Sequence, residues 1–427
     1  MKTRIEKIHA TFERNGYECY LVGGAVRDIY MGKIPKDYDL TTNATPDQIE
    51  DIFEKTYPTG KQYGTITVQI DKALFEITTY RKDMDYDGRR PKAVSFSDNL
   101  IDDLSRRDFT MNAMAMDKDG VIVDPFNGKQ DIFNNKIDFV GNSDDRIKED
   151  KLRILRAMRF SATYGFSLPK LTSQYNIETL SKERIREEFN KMLLGKYFDK
   201  LLLNDYYKYY IYQIIPELKI CEGFEQNNPH HYADILGHTL DTVMLIEPKL
   251  ELKLSALFHD IGKPHCYSES DRIGHFYNHN SYSEEITESI MKRLKYSNKE
   301  IDYVKKLVKN HMLELPIKNK TIKRLINKDI DLDGLFKLML SDKLSCNSKE
   351  GIWDIYDAIE KYHKIIFTKE PFSLKDLAIN GYDLIELGYK EKEIGSKLNE
   401  LLDFILEYPT HNQKDILIGI CKKSIKQ

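Results

Sequence analysis

The sequence predicts an α+β protein, with a small, mostly antiparallel sheet and flanking helices in its first third and an all-α remainder. Three observations carry this expectation. Short apolar runs of strand length, separated by turn residues, recur up to about residue 140. From residue 141 they give way to helical periodicity that continues to the end. A chain of 427 residues also exceeds what one hydrophobic core organises, so about two to four compact units are expected.

An opening amphipathic helix carries Ile5, Ile8 and Phe12 and closes at Gly16. Residues 17–22 read as a buried strand. The runs 65–70 and 73–80 flank Asp71-Lys72 as a hairpin, and 112–116 and 121–123 flank Asp119-Gly120 in the same way. The segment 83–104 is polar, charged and broken by Gly and Pro, and reads as a long mobile loop. Helical periodicity begins with SDDRIKEDKLRILRAMRFSATYGF. The polar stretch CEGFEQNNPHHY near residue 225 and the Glu370-Pro371 step punctuate it, which divides the chain into 1–140, 141–225, 226–368 and 369–427.

Composition excludes several classes. With 41% hydrophobic and 31% charged residues the chain is neither disordered nor a membrane protein, and no apolar run approaches the roughly 20 residues of a bilayer span. A cytoplasmic address is the expectation. Cys19, Cys221, Cys266, Cys346 and Cys421 form no CxxC pair, so neither a disulfide framework nor a thiolate zinc site is indicated. The net charge of −3 means that nucleic-acid contacts must come from local basic surfaces. Lys151, Arg153, Arg156 and Arg159 form one such cluster. Lys305, Lys306 and Lys309 with Lys318, Lys320, Lys323 and Arg324 form another, for which a solvated helix face is the alternative.

The first chemical constellation lies in LVGGAVRDIYMGKIPKDYDLTT. Gly23-Gly24 lets the backbone turn after a strand and approach an anion, and residues 25–31 continue as a helix. Asp37 and Asp39 sit two apart on the next extended segment, so both carboxylates face one side and suit a hard cation, Mg²⁺. Glu76, in an apolar run, is either a third ligand or a solvent-facing residue. A pair of exposed loop aspartates is the bland alternative for Asp37 and Asp39.

GGAVRD, DYD, LSRRDFTMNAMAM, DPFNGKQDI, EDKLRILRAMRFSA and ERIREE follow in the order seen in the class II bacterial CCA-adding enzymes and poly(A) polymerases, which the first 190 or so residues resemble. The resemblance implies a nucleotidyltransferase head, a helical neck that reads the base, and a body and tail that hold tRNA. It implies catalysis by Asp37 and Asp39, and nucleotide contacts from Gly24, Arg27, Arg107, Asp150, Arg153, Arg156 and Arg159. Physical chemistry supports the base-reading part. Cytosine and adenine each pair an exocyclic amino donor with a ring-nitrogen acceptor, so an Asp beside an Arg accepts C and A and rejects U and G. Positions 150, 153, 156 and 159 would form one helical stripe, for which a surface salt-bridge ladder is the alternative. In the resembled family an intact loop like 83–104 accompanies A addition. The implied activity is CCA addition to tRNA from CTP and ATP, with an A-adding enzyme, a poly(A) polymerase, a hydrolase with an inactive head or a non-catalytic RNA-binding protein as alternatives.

A second constellation runs from His238 through His259-Asp260, His275, His279 and His311 to Asp342. Imidazole and carboxylate together suit Ni, Co, Mn or Fe, which activate water against a phosphoester. The stretch SALFHDIGKP resembles the HD phosphohydrolases, which implies His238, His259, Asp260 and Asp342 as metal ligands, with His279 and His311 at a second metal. Asn280 departs from the Glu often found after the histidine. The last segment, with Gly381, Gly388 and Gly395 and with Lys390, Lys392 and Lys397, looks like a tRNA-binding tail, a plain packing pair of helices being the alternative.

Overall fold

The computed structural model describes residues 2–86, 91–228 and 232–425, so residues 87–90 of the 83–104 segment and the His230-His231 part of the stretch near 225 lie outside the described residues. The chain divides into two compact units, Met1–Ile214 and Ile215–Gln427. The division falls inside the expected 141–225 segment.

In the first unit, helices α1 (Lys2–Arg14), α2 (Gly24–Tyr30), α3 (Pro46–Ile52), α4 (Leu100–Ser105) and α5 (Gly128–Phe133) accompany the sheet, and α6 (Ser143–Glu149), α7 (Leu152–Tyr164) and α8 (Lys182–Leu193) follow it. α1 buries Ile8 and Phe12, and Gly16 ends it with φ +78°, a left-handed conformation that favours glycine. The strands are β1 (Cys19–Val22), β2 (Asp39–Thr42), β3 (Thr56–Gly60), β4 (Thr65–Ile70), β5 (Ala73–Thr79), β6 (Arg81–Tyr86), β7 (Pro91–Phe96), β8 (Ala115–Met116) and β9 (Ile122–Val123). Seven of them form one sheet in the order β3-β4-β5-β2-β1-β8-β9. Only β2 and β5 pair in parallel, so the sheet is mostly antiparallel as the sequence indicates. At the tip of the β4–β5 hairpin Asp71 and Lys72 both take positive φ, the backbone that a two-residue turn needs.

The 83–104 segment is a correction. Its described part is a two-stranded antiparallel ladder, β6 with β7, running from Arg81 opposite Phe96 to Tyr86 opposite Pro91, and leading into α4. The backbone ladder is indifferent to the charges of the side chains, which is why composition alone reads the segment as a loop. Asp83 accepts from Arg81 Nε at 3.0 Å and anchors the base of the hairpin.

The second unit is helical apart from a small antiparallel hairpin, β10 (Tyr267–Ser270) with β11 (Ile273–Phe276), which the all-α expectation missed. Its last part packs Leu384, Leu401, Ile405 and Leu417 into a core of its own. Among the described residues no helix is long and apolar enough to cross a membrane.

Candidate active sites

In the first unit, a cavity of about 580 Å³ opens beside the end of β1 and the start of β2. Gly24, Arg27, Arg107 and Asp39 line it from the sheet side, and Asp150, Arg153, Arg156 and Arg159 from the helical side. Asp37 lies outside it, on a neighbouring groove that Asp39 shares. Only Asp39 belongs to β2; Asp37 precedes the strand, so the expected single-strand placement of both is corrected. Burial and the neighbouring Asp37 push the Asp39 carboxyl up, against the opposing pull of Arg107. Such a carboxyl gains from an added cation.

Of the Gly23-Gly24 pair expected at the turn, Gly23 is the one whose backbone requires glycine. It has φ +70°, and a Cβ there would meet Arg107 Nη1 at 2.8 Å. Arg106 and Arg107 both hold the fully buried Asp103, at 2.7 Å and 3.2 Å. Burial raises the Asp103 carboxyl, and the two guanidiniums outweigh it and leave the group below the usual carboxylate range. Arg107 Nε is buried and makes no hydrogen bond. Arg27 is buried as well. It donates to Asp28 Oδ1 and, at 2.7 Å, to Asn112 Oδ1, and lies 5.0 Å from the Phe160 ring.

The base-reading stripe is partly corrected. Arg153, Arg156 and Arg159 lie on α7, but Asp150 caps α6 in extended conformation and stands between the two helices. Asp150 does not pair with Arg153. Arg184 Nη2 donates to Asp150 Oδ2 at 2.6 Å, and the Leu152 N–H holds Oδ1 at 3.0 Å. Arg153 donates to Glu149 and to the Arg146 carbonyl. Arg156 pairs with Asp108, which also receives Asn112 Nδ2 and its own neighbour's N–H. Burial raises Asp108, and Arg156 with those donors brings it below the usual range. Arg159 Nε lies 3.0 Å from Glu188 Oε2. Arg184 and Glu188 were not assigned from sequence. They stand four apart on α8, in ERIREE, and that i, i+4 spacing is the signal that puts both on one face.

In the second unit, His238, His259, Asp260 and Asp342 converge, as do His279 and His311. Asp260 faces one triad, made of His238, His259 and Asp342, and forms a second with His279 and His311. Its Oδ2 is 3.4 Å from His238 Nε2 and 3.3 Å from His259 Nε2, and its Oδ1 is 3.1 Å from His279 Nε2 and 3.7 Å from His311 Nε2. Asp342 Oδ1 closes the first triad, 3.0 Å from His238. Every ring has its other nitrogen occupied. Nδ1 of His259, His279 and His311 donates to the carbonyls of Ala256, Phe276 and Val308. Ser345 gives its hydroxyl proton to the Asp342 carbonyl and so accepts from His238 Nδ1. Those bonds fix Nδ1 as the N–H, so each ring aims Nε2 at the centre, as a lone pair when neutral and as a donor to the carboxylates when protonated.

Facing Nε2 atoms, 3.3 Å apart for His238 and His259 and 3.2 Å for His279 and His311, call for a shared proton or a cation between them. The donor set therefore fits divalent ions. Burial raises Asp260, and His259, Lys263 and the histidine hydrogen bonds hold it well below the carboxylate range. Lys263, missed from sequence although it is the Lys of HDIGKP, donates to Asp260 at 2.6 Å and to Gln226 at 2.7 Å. His275 is corrected out of the cluster: it lies on β11, bonded to Ser270 and stacked on Tyr277. Asn280 donates to the Lys309 carbonyl. A cavity of about 460 Å³ opens onto Asp260, His279, His311 and Asp342.

Three segments match family models: the poly A polymerase head domain at residues 19–138, the probable RNA and SrmB-binding site of polymerase A at 168–220, and the HD domain at 231–365. The CCA-adding enzyme of Geobacillus sp. (strain WCH70) is 45% identical over 190 residues, 43% of this chain and 47% of that one. That of Staphylococcus aureus (strain MRSA252) is 46% identical over 186 residues, 42% of this chain and 46% of that one. The match thus spans about half the length of these curated relatives. The Bacillus stearothermophilus CCA-adding enzyme in complex with CTP superposes with a TM-score of 0.70 at 24% identity, covering 99% of this chain and 98% of that one. The Thermotoga maritima CCA-adding enzyme complexed with tRNA gives 0.57 at 18% identity, over 98% and 94%. The chain therefore carries a poly A polymerase head domain and an HD domain on the fold of the CCA-adding enzymes.

Proposed function

We propose that the first unit adds C, C and A to the 3′ end of tRNA from CTP and ATP without a template. The observation that carries this is the single cavity in which Asp39, a set of arginines and the Asp150–Arg184 pair meet. The chemistry is attack of the RNA 3′-hydroxyl oxygen on the α-phosphorus, with loss of its proton and departure of pyrophosphate. Asp37 and Asp39 would hold the divalent ion, Mg²⁺ by the hardness of the donors, which activates that hydroxyl and neutralises the triphosphate. Arg107, with its free Nε–H, and Arg27 orient phosphate and sugar, while Asp150 and Arg153 read the base edge, backed by Arg156 and Arg159. The likeness to CCA-adding enzymes solved with CTP, ATP and tRNA supports this reading. On it, residues 1–140 are head, 141–225 neck, 226–368 HD body and 369–427 tRNA-binding tail, and the protein works in the cytoplasm.

The test offers tRNA ending at the discriminator base, after one C and after two, with each nucleoside triphosphate alone. C should join the first two and A the third. Addition of A alone, only to the last, would make it an A-adding enzyme; no incorporation would end the reading.

The two triads around Asp260 favour a second activity, phosphoester hydrolysis in the HD body with a transition metal such as Ni, Co, Mn or Fe. His238, His259 and Asp342 would hold one ion, and His279 and His311 another, with Asp260 between them. Release of phosphate from RNA ends by the metal-loaded protein tests it. Absence of both hydrolysis and bound transition metal would reduce the HD segment to a scaffold.

A further inference from the structure

We propose that the 3′-terminal nucleotides of the acceptor RNA lie in a groove across the open face of the first unit's sheet, with Tyr57 as the ring on which a base stacks. This rests on the nucleotidyl-transfer reading above and names where its second substrate sits. The groove, about 870 Å³, is lined by Asp37, Asp39 and Glu76 at one end and by Tyr57 at the other.

Strand register places these side chains in a line. Tyr57 stands opposite Thr67, and Thr67 opposite Glu76. Glu76 and Asp39 each directly precede the paired Ile77 and Leu40. Laterally paired residues share a face, so Tyr57, Thr67, Glu76 and Asp39 form one row across β3, β4, β5 and β2. With strands about 4.8 Å apart, Tyr57 stands roughly 14 Å from Asp39, within reach of one or two nucleotides.

Asp39 is where the row meets the nucleotide cavity, because it lines both spaces. Displacement at phosphorus runs in line, so the attacking oxygen must come from the side away from pyrophosphate. The charges sort the two substrates accordingly. The cavity collects arginines, whereas the groove sets Asp37, Asp39 and Glu76 against Lys36 and Lys72. Lys36 and Lys72 can meet the phosphodiesters of a short RNA end, while among the described residues the groove lining has no arginine to draw a second triphosphate. The floor is polar and held: Thr59 and Thr67 share a hydrogen bond of 2.7 Å, and the Tyr57 hydroxyl donates to Gln69 Oε1 at 2.8 Å. That bond fixes a ring that is still 42% exposed, and an exposed, fixed ring is what sequence-tolerant base stacking requires.

Tyr57→Ala should raise KM for tRNA lacking its 3′ end about 10-fold, the effect of losing one base–aromatic stack, with KM for CTP and the preference for C over U unchanged. Tyr57→Phe keeps the ring but loses the bond to Gln69 that fixes it, so its RNA KM should lie between those of the wild type and Tyr57→Ala. An unchanged RNA KM in the alanine variant, or an equal rise in KM for CTP, overturns the proposal. A second measurement does not need turnover: RNA ending in a photoreactive thiouridine should crosslink to the peptide that carries Tyr57. Crosslinking confined to other segments overturns the groove. Crosslinking at Tyr57 by a wild-type protein that incorporates no nucleotide upholds the groove and refutes the transfer reading instead.

Discussion

Arg184→Ala should impair base selection rather than the transfer step itself. Arg184 reaches Asp150 at 2.6 Å, and the two side chains are 19% and 14% exposed, so the pair is largely shielded from water. Asp150 Oδ1 keeps the Leu152 N–H, but Oδ2 loses its donor, and the carboxylate is no longer held at the edge where an amino group is to be accepted. A hydrogen bond to a charged group contributes about 1.5–3 kcal/mol, and 1.4 kcal/mol is about a factor of ten. The ratio of kcat/KM for CTP over UTP should therefore fall roughly 10- to 100-fold, mostly through loss on CTP. Arg184→Lys keeps the charge without the planar fork and should lie between. The assay is steady-state incorporation of each nucleotide into tRNA ending at the discriminator base, with Tm measured for every variant. Equal losses for CTP and UTP in a stably folded Arg184→Ala protein would refute the idea that this pair reads the base.

Deleting residues 83–90 should spare C addition and suppress A addition, read as CC-ended products that fail to extend; equal loss of both would make the β6–β7 hairpin purely structural. His259→Ala combined with Asp260→Ala should remove opening of 2′,3′-cyclic phosphate on RNA ends and leave C and A addition near wild type, because the two sites use separate donors. Added Ni²⁺, Co²⁺ or Mn²⁺ should stimulate that hydrolysis more than nucleotide addition. Asp103→Asn should cost about 3 kcal/mol at neutral pH, since it takes the buried counter-charge from Arg107 and leaves Arg106 with the more distant Asp83 at 3.8 Å. The folded carboxyl lies below its unfolded value of about 3.9, so the stabilisation is complete above that pH and lost as pH falls through the folded value. Denaturation midpoints of the two proteins should converge in acid; a gap that widens there would assign Asp103 another role.

The sequence by itself determined the mostly antiparallel sheet of the first part, the largely helical remainder and the residue types at both centres, but not the β6–β7 and β10–β11 hairpins. Periodicity reports which face of an element is buried, and motifs such as DYD and HDIGKP put chemistry at fixed local spacing. What it left open were pairings between residues far apart along the chain. Asp150 is held from residue 184, Arg156 from residue 108 and Arg159 from residue 188, and no local pattern encodes these choices. Asp260 looks like one ligand among several until folding sets its two oxygens against different pairs of histidines. His275, close in sequence to His279, is carried away from the centre on β11. The row from Tyr57 to Asp39 exists only because four strands are in lateral register. Side chains acquire partners when elements pack, and packing depends on the whole set of buried faces at once, so these pairings belong to the tertiary structure.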